Sequence, residues 1–149
     1  MALRRRPTQR QREIITERAE ACCEYCKTPL ILANVENFEL EHIEPVVSGG
    51  LTVLENLALS CPGCNDIKQV QTQALDPESG AYVALFHPRQ QLWEEHFAWS
   101  ADGQLIQGKT PCGRATVVAL RLNRIGLVNL RRAQWALGIH PLQEKSEES

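Results

Sequence analysis

The chain has 149 residues, 43% hydrophobic and 23% charged, with a formal net charge of −2. That length fits one domain, or one small domain with an appendage, of an ordinary soluble globular class. No apolar run nears the roughly 20 residues of a membrane span, and the arginine-rich start lacks the apolar stretch of a secretory signal, so a cytoplasmic setting without membrane contact is expected.

The near-neutral total conceals an asymmetry. Arg4, Arg5, Arg6, Arg10 and Arg12 crowd the first twelve residues with no acid among them. Lys109, Arg114, Arg121, Arg124, Arg131 and Arg132 fall in another acid-free stretch, 103–143. Two basic ends around an acidic centre suit a polyanion gripped at its flanks, although a solvated charged surface accounts for the pattern equally well.

In chain order, Pro7 and the spacing of Ile14, Ile15, Arg18 and Ala19 predict a helix over 8–21. Alternation of apolar and polar residues predicts a strand over 38–42, and Ser48-Gly49-Gly50 a loop. Leu57-Ala58-Leu59 reads as a second strand, followed by a helix from about Cys64 to Val70. Beyond Thr72 the composition shifts. Asp76-Pro77-Glu78-Ser79-Gly80 is a turn, Gln90 to His96 a short helix, and Asp102-Gly103 the turn of a hairpin joining 97–99 to 104–106. Two helices are expected over 113–122 and 124–136, with Val117, Leu120, Ile125, Leu127, Val128 and Leu130 in the core. The organisation is thus a core over 1–72, an extension packed on it over 73–140, and a disordered tail over 141–149.

Of six cysteines, four form two C-x-x-C pairs, Cys23 with Cys26 and Cys61 with Cys64. Each pair sets two sulfurs on one side of a tight knuckle, and two knuckles complete a tetrahedron around Zn²⁺. Disulfides suit a chain with a signal peptide, and a redox pair leaves the second C-x-x-C unexplained. Four thiolates leave no open position for water, so such a zinc is structural. Cys22 and Cys112 read as free thiols.

Between and after the knuckles lie Glu41-His42-Ile43-Glu44-Pro45, Ser48-Gly49-Gly50, Glu55-Asn56-Leu57 and Asn65-Asp66-Ile67-Lys68. Singly these read as a surface histidine, a solvated carboxylate, a turn asparagine and a helix cap. Together they offer an imidazole beside a carboxylate and an amide oxygen, donors suited to a hard cation such as Mg²⁺ or Mn²⁺. A bend in the strand is needed to bring Glu41 and His42 to one site.

The order C-x-x-C, (D/E)-H-I-x-P, G-G, x-N-L, C-x-x-C-(N/H)-x-x-K resembles the HNH endonuclease family over residues 23–68. The resemblance implies an α+β fold, a ββα-metal (His-Me finger) core with a structural four-cysteine zinc site, an N-terminal helix and a C-terminal extension of hairpin and helices. It implies metal-dependent hydrolysis of phosphodiester bonds in nucleic acid, DNA foremost. His42 would be the general base, Asn56 the residue that holds the loop and aims it, and Glu41 and Asn65 the ligands of a catalytic Mg²⁺ or Mn²⁺. Glu stands where Asp is commoner, and Asn rather than His closes the motif. Lys68, Arg89, Arg114, Arg121 and Arg124 are candidate phosphate contacts, the last three at helical spacings that could form one basic face. His87 and His96 are read as packing residues. Two other functions are weighed: an HNH-derived module that binds DNA without cutting, and a zinc-ribbon interaction protein. No dimer interface is readable.

Overall fold

A computed structural model of the chain describes residues 6–32 and 38–141. Arg4, Arg5 and positions 142–149 of the expected tail lie outside the described residues.

Helix α1 (Gln9–Arg18) starts at a capping box: Gln11 N donates to the Thr8 hydroxyl at 3.1 Å, and the Gln11 side chain accepts from Thr8 N at 2.9 Å. It ends before residue 21 because Glu20 and Ala21 take left-handed φ values of 54° and 55°. Ile15 is buried, and polar side chains pin the helix alongside the strands that follow. Gln11 donates to Thr52 O at 3.1 Å, Arg12 to Phe38 O at 3.1 Å and Arg18 to Leu54 O at 2.8 Å.

Strands β1 (Glu39–His42) and β2 (Leu57–Ser60) pair antiparallel, with Glu39 opposite Ser60 and His42 opposite Leu57. Helix α2 (Pro62–Lys68) then packs back onto β1. It begins two residues earlier than the sequence suggests, because Cys61 is its cap and Pro62 fits the first helical position. It stops at Gln69, whose φ is +47°.

The extension begins with a hairpin that no sequence pattern revealed, β3 (Gln73–Leu75) with β4 (Tyr82–Ala84). Both strands are short and poorly buried, so neither carries a core-facing alternation. Helix α3 (Trp93–His96) leads into β5 (Phe97–Trp99), which pairs with β6 (Ile106–Gly108). The second strand lies two residues beyond the expected 104–106. Gln104 and Leu105 instead belong to the turn, where Asp102 accepts from Gln104 N at 3.1 Å and the Ser100 hydroxyl accepts from Leu105 N at 3.0 Å.

Helices α4 (Pro111–Ala119) and α5 (Ile125–Ala136) close the chain. Leu120 and Leu127 join the core, whereas Ile125, expected there, is 73% exposed in the first turn of α5. One buried cluster runs from Ile15 through the hairpin residues Leu57 and Leu59 to Phe86, Phe97, Ile106, Leu122 and Leu127. None of the described helices is long and apolar enough to cross a membrane.

The extension is fastened by Asp76. Its oxygens accept from the backbone of Glu78 and Ser79 and from the Ser79 hydroxyl, and Arg114 of α4 grips both of them at 2.9 and 3.0 Å. Arg114 leads in holding this carboxyl well below its ordinary range. A carboxylate whose folded pKa is depressed stabilises the fold above its unfolded pKa and loses that contribution as pH falls toward the folded value. Asp76→Asn should therefore lower the melting temperature at pH 7. The loss relative to wild type should shrink as the pH drops below about 4, which thermal unfolding scans at several pH values would show.

Candidate functional site: a four-thiolate centre and a shallow oxygen pocket

The first knuckle bends through Lys27, at φ +63°, and the second is the N-terminus of α2. Together they bring the sulfurs of Cys23, Cys26, Cys61 and Cys64 within 4.8 Å of one another, all four residues buried. The Cys26 and Cys61 sulfurs stand 3.7 Å apart. A tetrahedron with 2.3 Å Zn–S bonds has edges of about 3.8 Å, so the set fits a structural zinc. Hydrogen bonds among the four sulfurs hold the Cys61 thiol far below its ordinary value, while burial leads in pushing Cys23 well up, so without a metal the four thiols share their negative charge unequally. Arg124 adds positive charge, its two terminal nitrogens lying 3.6 Å from the sulfurs of Cys61 and Cys64. Gly63 makes room for that guanidinium, since a Cβ there would stand 2.6 Å from Arg124 Nη2. Cys22 and Cys112 are free.

The residues inside the first knuckle reach further. Glu24 accepts from Leu59 N at 2.7 Å and pairs with Arg89. The Tyr25 hydroxyl donates to Glu41 Oε2 at 2.5 Å, and Trp93 Nε1 donates to Tyr25 O at 3.1 Å. The knuckle is thus tied to both strands of the hairpin and to the extension.

On β1, side chains alternate between the two faces, so Glu39 and Glu41 share the face that α2 covers. On α2, Asn65 and Lys68 are three apart and share a helix face. The two pairs meet in register. Asn65 Nδ2 donates to Glu39 Oε2 at 2.5 Å, and Lys68 Nζ bonds Glu41 Oε1 and donates to Ile43 O at 3.2 Å. Glu39 and Asn65 lie toward solvent, whereas Glu41 is 5% exposed and Lys68 1%. Burial pushes the Glu41 carboxyl up, opposed chiefly by Lys68.

His42 faces the other way along the strand, where its Nε2 meets the Thr52 hydroxyl at 2.8 Å. Burial lowers the pKa of the ring, which favours the neutral imidazole. Thr52 is held by α1 through Gln11. Asn56 staples the loop: its Oδ1 accepts from Glu44 N at 2.8 Å, and its Nδ2 donates to Glu44 O and Leu51 O at 3.0 and 2.9 Å. Gly50 passes so close to the Glu44 carbonyl that no Cβ fits there. Glu39, Glu41, His42 and Asn65 all line one open depression of about 330 Å³, with Pro45, Val46 and Val47 at its edge.

The expected ligand pair for a catalytic cation does not assemble as the sequence suggested. Asn65 meets Glu39, not Glu41, and both oxygens of Glu41 are engaged by Tyr25 and Lys68. Among the described residues, the four cysteines are the only group of three or more His, Cys, Asp or Glu ligands close enough to share an ion.

The candidate phosphate contacts also divide. Lys68 is buried on Glu41, Arg89 is paired with Glu24, Arg114 grips Asp76, and Arg124 faces the sulfurs. Only Arg121 of the five is exposed. Arg114, Arg121 and Arg124 form no single basic face, because Arg114 lies in α4, Arg121 follows that helix at φ +50°, and Arg124 caps α5. His87 Nδ1 accepts from Arg89 N at 3.2 Å, and His96 Nδ1 bonds the Thr110 hydroxyl at 2.7 Å. Sequence reasoning missed Glu39, Thr52 and the internal role of Tyr25. Period two along β1 was the available signal for Glu39, since it must share the face of Glu41.

A two-stranded hairpin, a helix packed on it and a four-cysteine cluster that fits a structural zinc form a ββα-metal core. Residues 23–71 match the model of the HNH endonuclease family. The match covers the two knuckles, the hairpin and α2, a third of the chain, and is to an HNH endonuclease domain. Comparison with curated proteins and with solved structures finds no match.

Two outcomes follow from this geometry. Native mass spectrometry should find one zinc per chain, and stripping it with a chelator, or Cys61→Ser, should unfold the hairpin and α2 as followed by circular dichroism. Lys68→Met leaves Glu41 buried without its counter-ion and should destabilise the chain by about 3–5 kcal/mol in urea unfolding, whereas Glu41→Gln with Lys68→Met should cost markedly less.

Proposed function

We propose that the chain is a metal-dependent endonuclease that hydrolyses phosphodiester bonds in DNA, with His42 as the general base. The observation that carries this reading is His42, held by the Thr52 hydroxyl at 2.8 Å and lining the same open depression as Glu39 and Asn65. With Nε2 engaged by Thr52, Nδ1 is the nitrogen that takes a proton from the attacking water. Asn56 keeps the 44–56 loop closed, and Gln11 anchors the backbone of Thr52, so the ring is aimed before substrate arrives. A bound Mg²⁺ or Mn²⁺, held by Asn65 and an acid of β1, would supply charge stabilisation at a phosphoryl oxygen. Asn56 positions and His42 moves the proton; the zinc-braced scaffold holds both.

Nucleic acid would meet the exposed Arg6 and Arg10 at the start of α1, the helix whose Gln11 and Arg18 bond Thr52 and Leu54 of the catalytic loop, together with Arg121. A second reading, a DNA-binding module that does not cut, is favoured by one observation: the acid beside His42 is already neutralised by Lys68.

Plasmid nicking in Mg²⁺ or Mn²⁺ separates the two. Wild type should nick, and His42→Ala should lose about 10²–10⁴ in rate, the usual worth of a general base, while its affinity for DNA in a mobility shift is unchanged. Binding by both proteins with cleavage by neither would establish the second reading.

A further inference from the structure

We infer that Arg124 is a positioning residue of the four-thiolate centre: its guanidinium quiets the sulfurs of Cys61 and Cys64 and so protects a bound zinc from electrophiles. The inference concerns the scaffold and stands whether or not the chain cuts DNA.

Arg124 is an unusual residue for its position. It holds the cap of α5, where Ser, Thr, Asp or Asn is favoured, and its side chain makes no capping bond there. The side chain turns back to the centre instead. Nη1 donates to the Cys64 sulfur, and Nη2 to the sulfurs of both Cys61 and Cys64, each at 3.6 Å. The carbonyls of Leu120 and Arg121, both 3.3 Å from Nη1, steady the group at the end of α4. Carbonyls there are the ones a finished helix leaves without partners. One planar fork therefore joins the end of α4 to the knuckle that starts α2. Gly63 points the same way. It lies in the first turn of α2 with no left-handed φ, where a better helix former such as Ala would fit the backbone. A Cβ at that position would stand 2.6 Å from Arg124 Nη2, and its three nearest neighbours all belong to that side chain. The glycine keeps the path open for the guanidinium.

Charge and exposure define what the contact does. Four thiolates around a divalent ion carry surplus negative charge, and a thiolate is a nucleophile. Cys61 is the least buried of the four, 6% exposed against 1% or less for the others. It is the sulfur that a reagent from solvent meets first, and it is one of the two that Arg124 holds. N–H donors and a positive charge lower the energy of a sulfur lone pair, so the sulfur attacks carbon less readily and stays in place as a ligand. With iodoacetamide, the sulfur forms a bond to the methylene carbon and iodide leaves. The resulting thioether no longer carries the negative charge that a zinc ligand supplies.

The test uses the full chain loaded with Zn²⁺ or with Co²⁺. Zinc released under iodoacetamide is followed with a chromogenic chelator, so alkylation of Cys22 and Cys112 is not counted. Arg124→Met should release zinc about tenfold faster than wild type, the usual scale of an outer-shell loss at a metal site. Gly63→Ala keeps every ligand and Arg124 itself but displaces the guanidinium, so release should rise there too. In the Co²⁺-loaded chain, the sulfur-to-metal charge-transfer absorption should move to longer wavelength in both variants, because thiolates without N–H donors give up electrons more readily. A purely structural contact would not move that band. Asp76→Asn, which loosens the extension away from the sulfurs, should leave it where it is. An unmoved band or a wild-type rate of release in Arg124→Met overturns the inference. If that variant does not fold, the same two readings in Gly63→Ala decide. A wild type that takes up neither ion also overturns it.

Discussion

Everything in the core depends on four sulfurs reaching one point. The hairpin is short, four residues per strand, and α2 spans two turns, so neither is stable on its own. Closing the two knuckles on one ion joins chain segments about 35 residues apart and fixes where α2 starts relative to β1. The second knuckle is itself the start of that helix: Cys61 caps it, and Cys64 N approaches the Cys61 sulfur at 3.4 Å. A thiolate there satisfies a backbone donor and sits at the positive end of the helix dipole.

From that centre the order spreads through side-chain bonds as well as through the apolar core. Tyr25 and Glu24, the two residues inside the first knuckle, hold Glu41 on β1 and Leu59 N on β2. Lys68, at the far end of α2, reaches the same Glu41. One buried carboxylate therefore joins knuckle, strand and helix. Such an ion pair adds little net stability over an apolar replacement, but it discriminates strongly between correct and shifted registers, because a slip of one residue would strand a charge in the interior. The outcome for the pocket is a division of labour: Glu41 locks the frame from β1, Glu39 and Asn65 meet at the open depression, and His42, bonded to Thr52, lines the same depression.

The fold was legible wherever a spacing had one physical meaning. Two C-x-x-C pairs around an alternating strand specify a metal-braced hairpin, and the zinc cluster and the β1 and β2 boundaries follow within a residue. Legibility failed where a side chain's partner lay far along the chain. Nothing local tells that Lys68 is buried on Glu41, that Arg89 neutralises Glu24, or that Arg114 grips Asp76 across 38 positions. Each arginine and lysine looked like a phosphate contact because charge is visible in a sequence and pairing is not. The β3–β4 hairpin escaped for a related reason: its strands are held by Asp76 and Arg114 rather than by an apolar face, so no period marks them. Ile125 shows the converse, an apolar residue at a helix start where packing ends.

The most direct test of the claim that thiolate-bound metal assembles the pocket is amide hydrogen exchange at Ile43 and Glu44 during titration of zinc into the metal-free chain. These two amides bond to Asn56, through its backbone oxygen at 2.9 Å and its side-chain oxygen at 2.8 Å, and so report closure of the catalytic loop. Protection of both should appear in step with zinc and reach its limit at one ion per chain. Full protection before any zinc is added would contradict the account, because the loop that carries His42 would then form without the centre said to hold it.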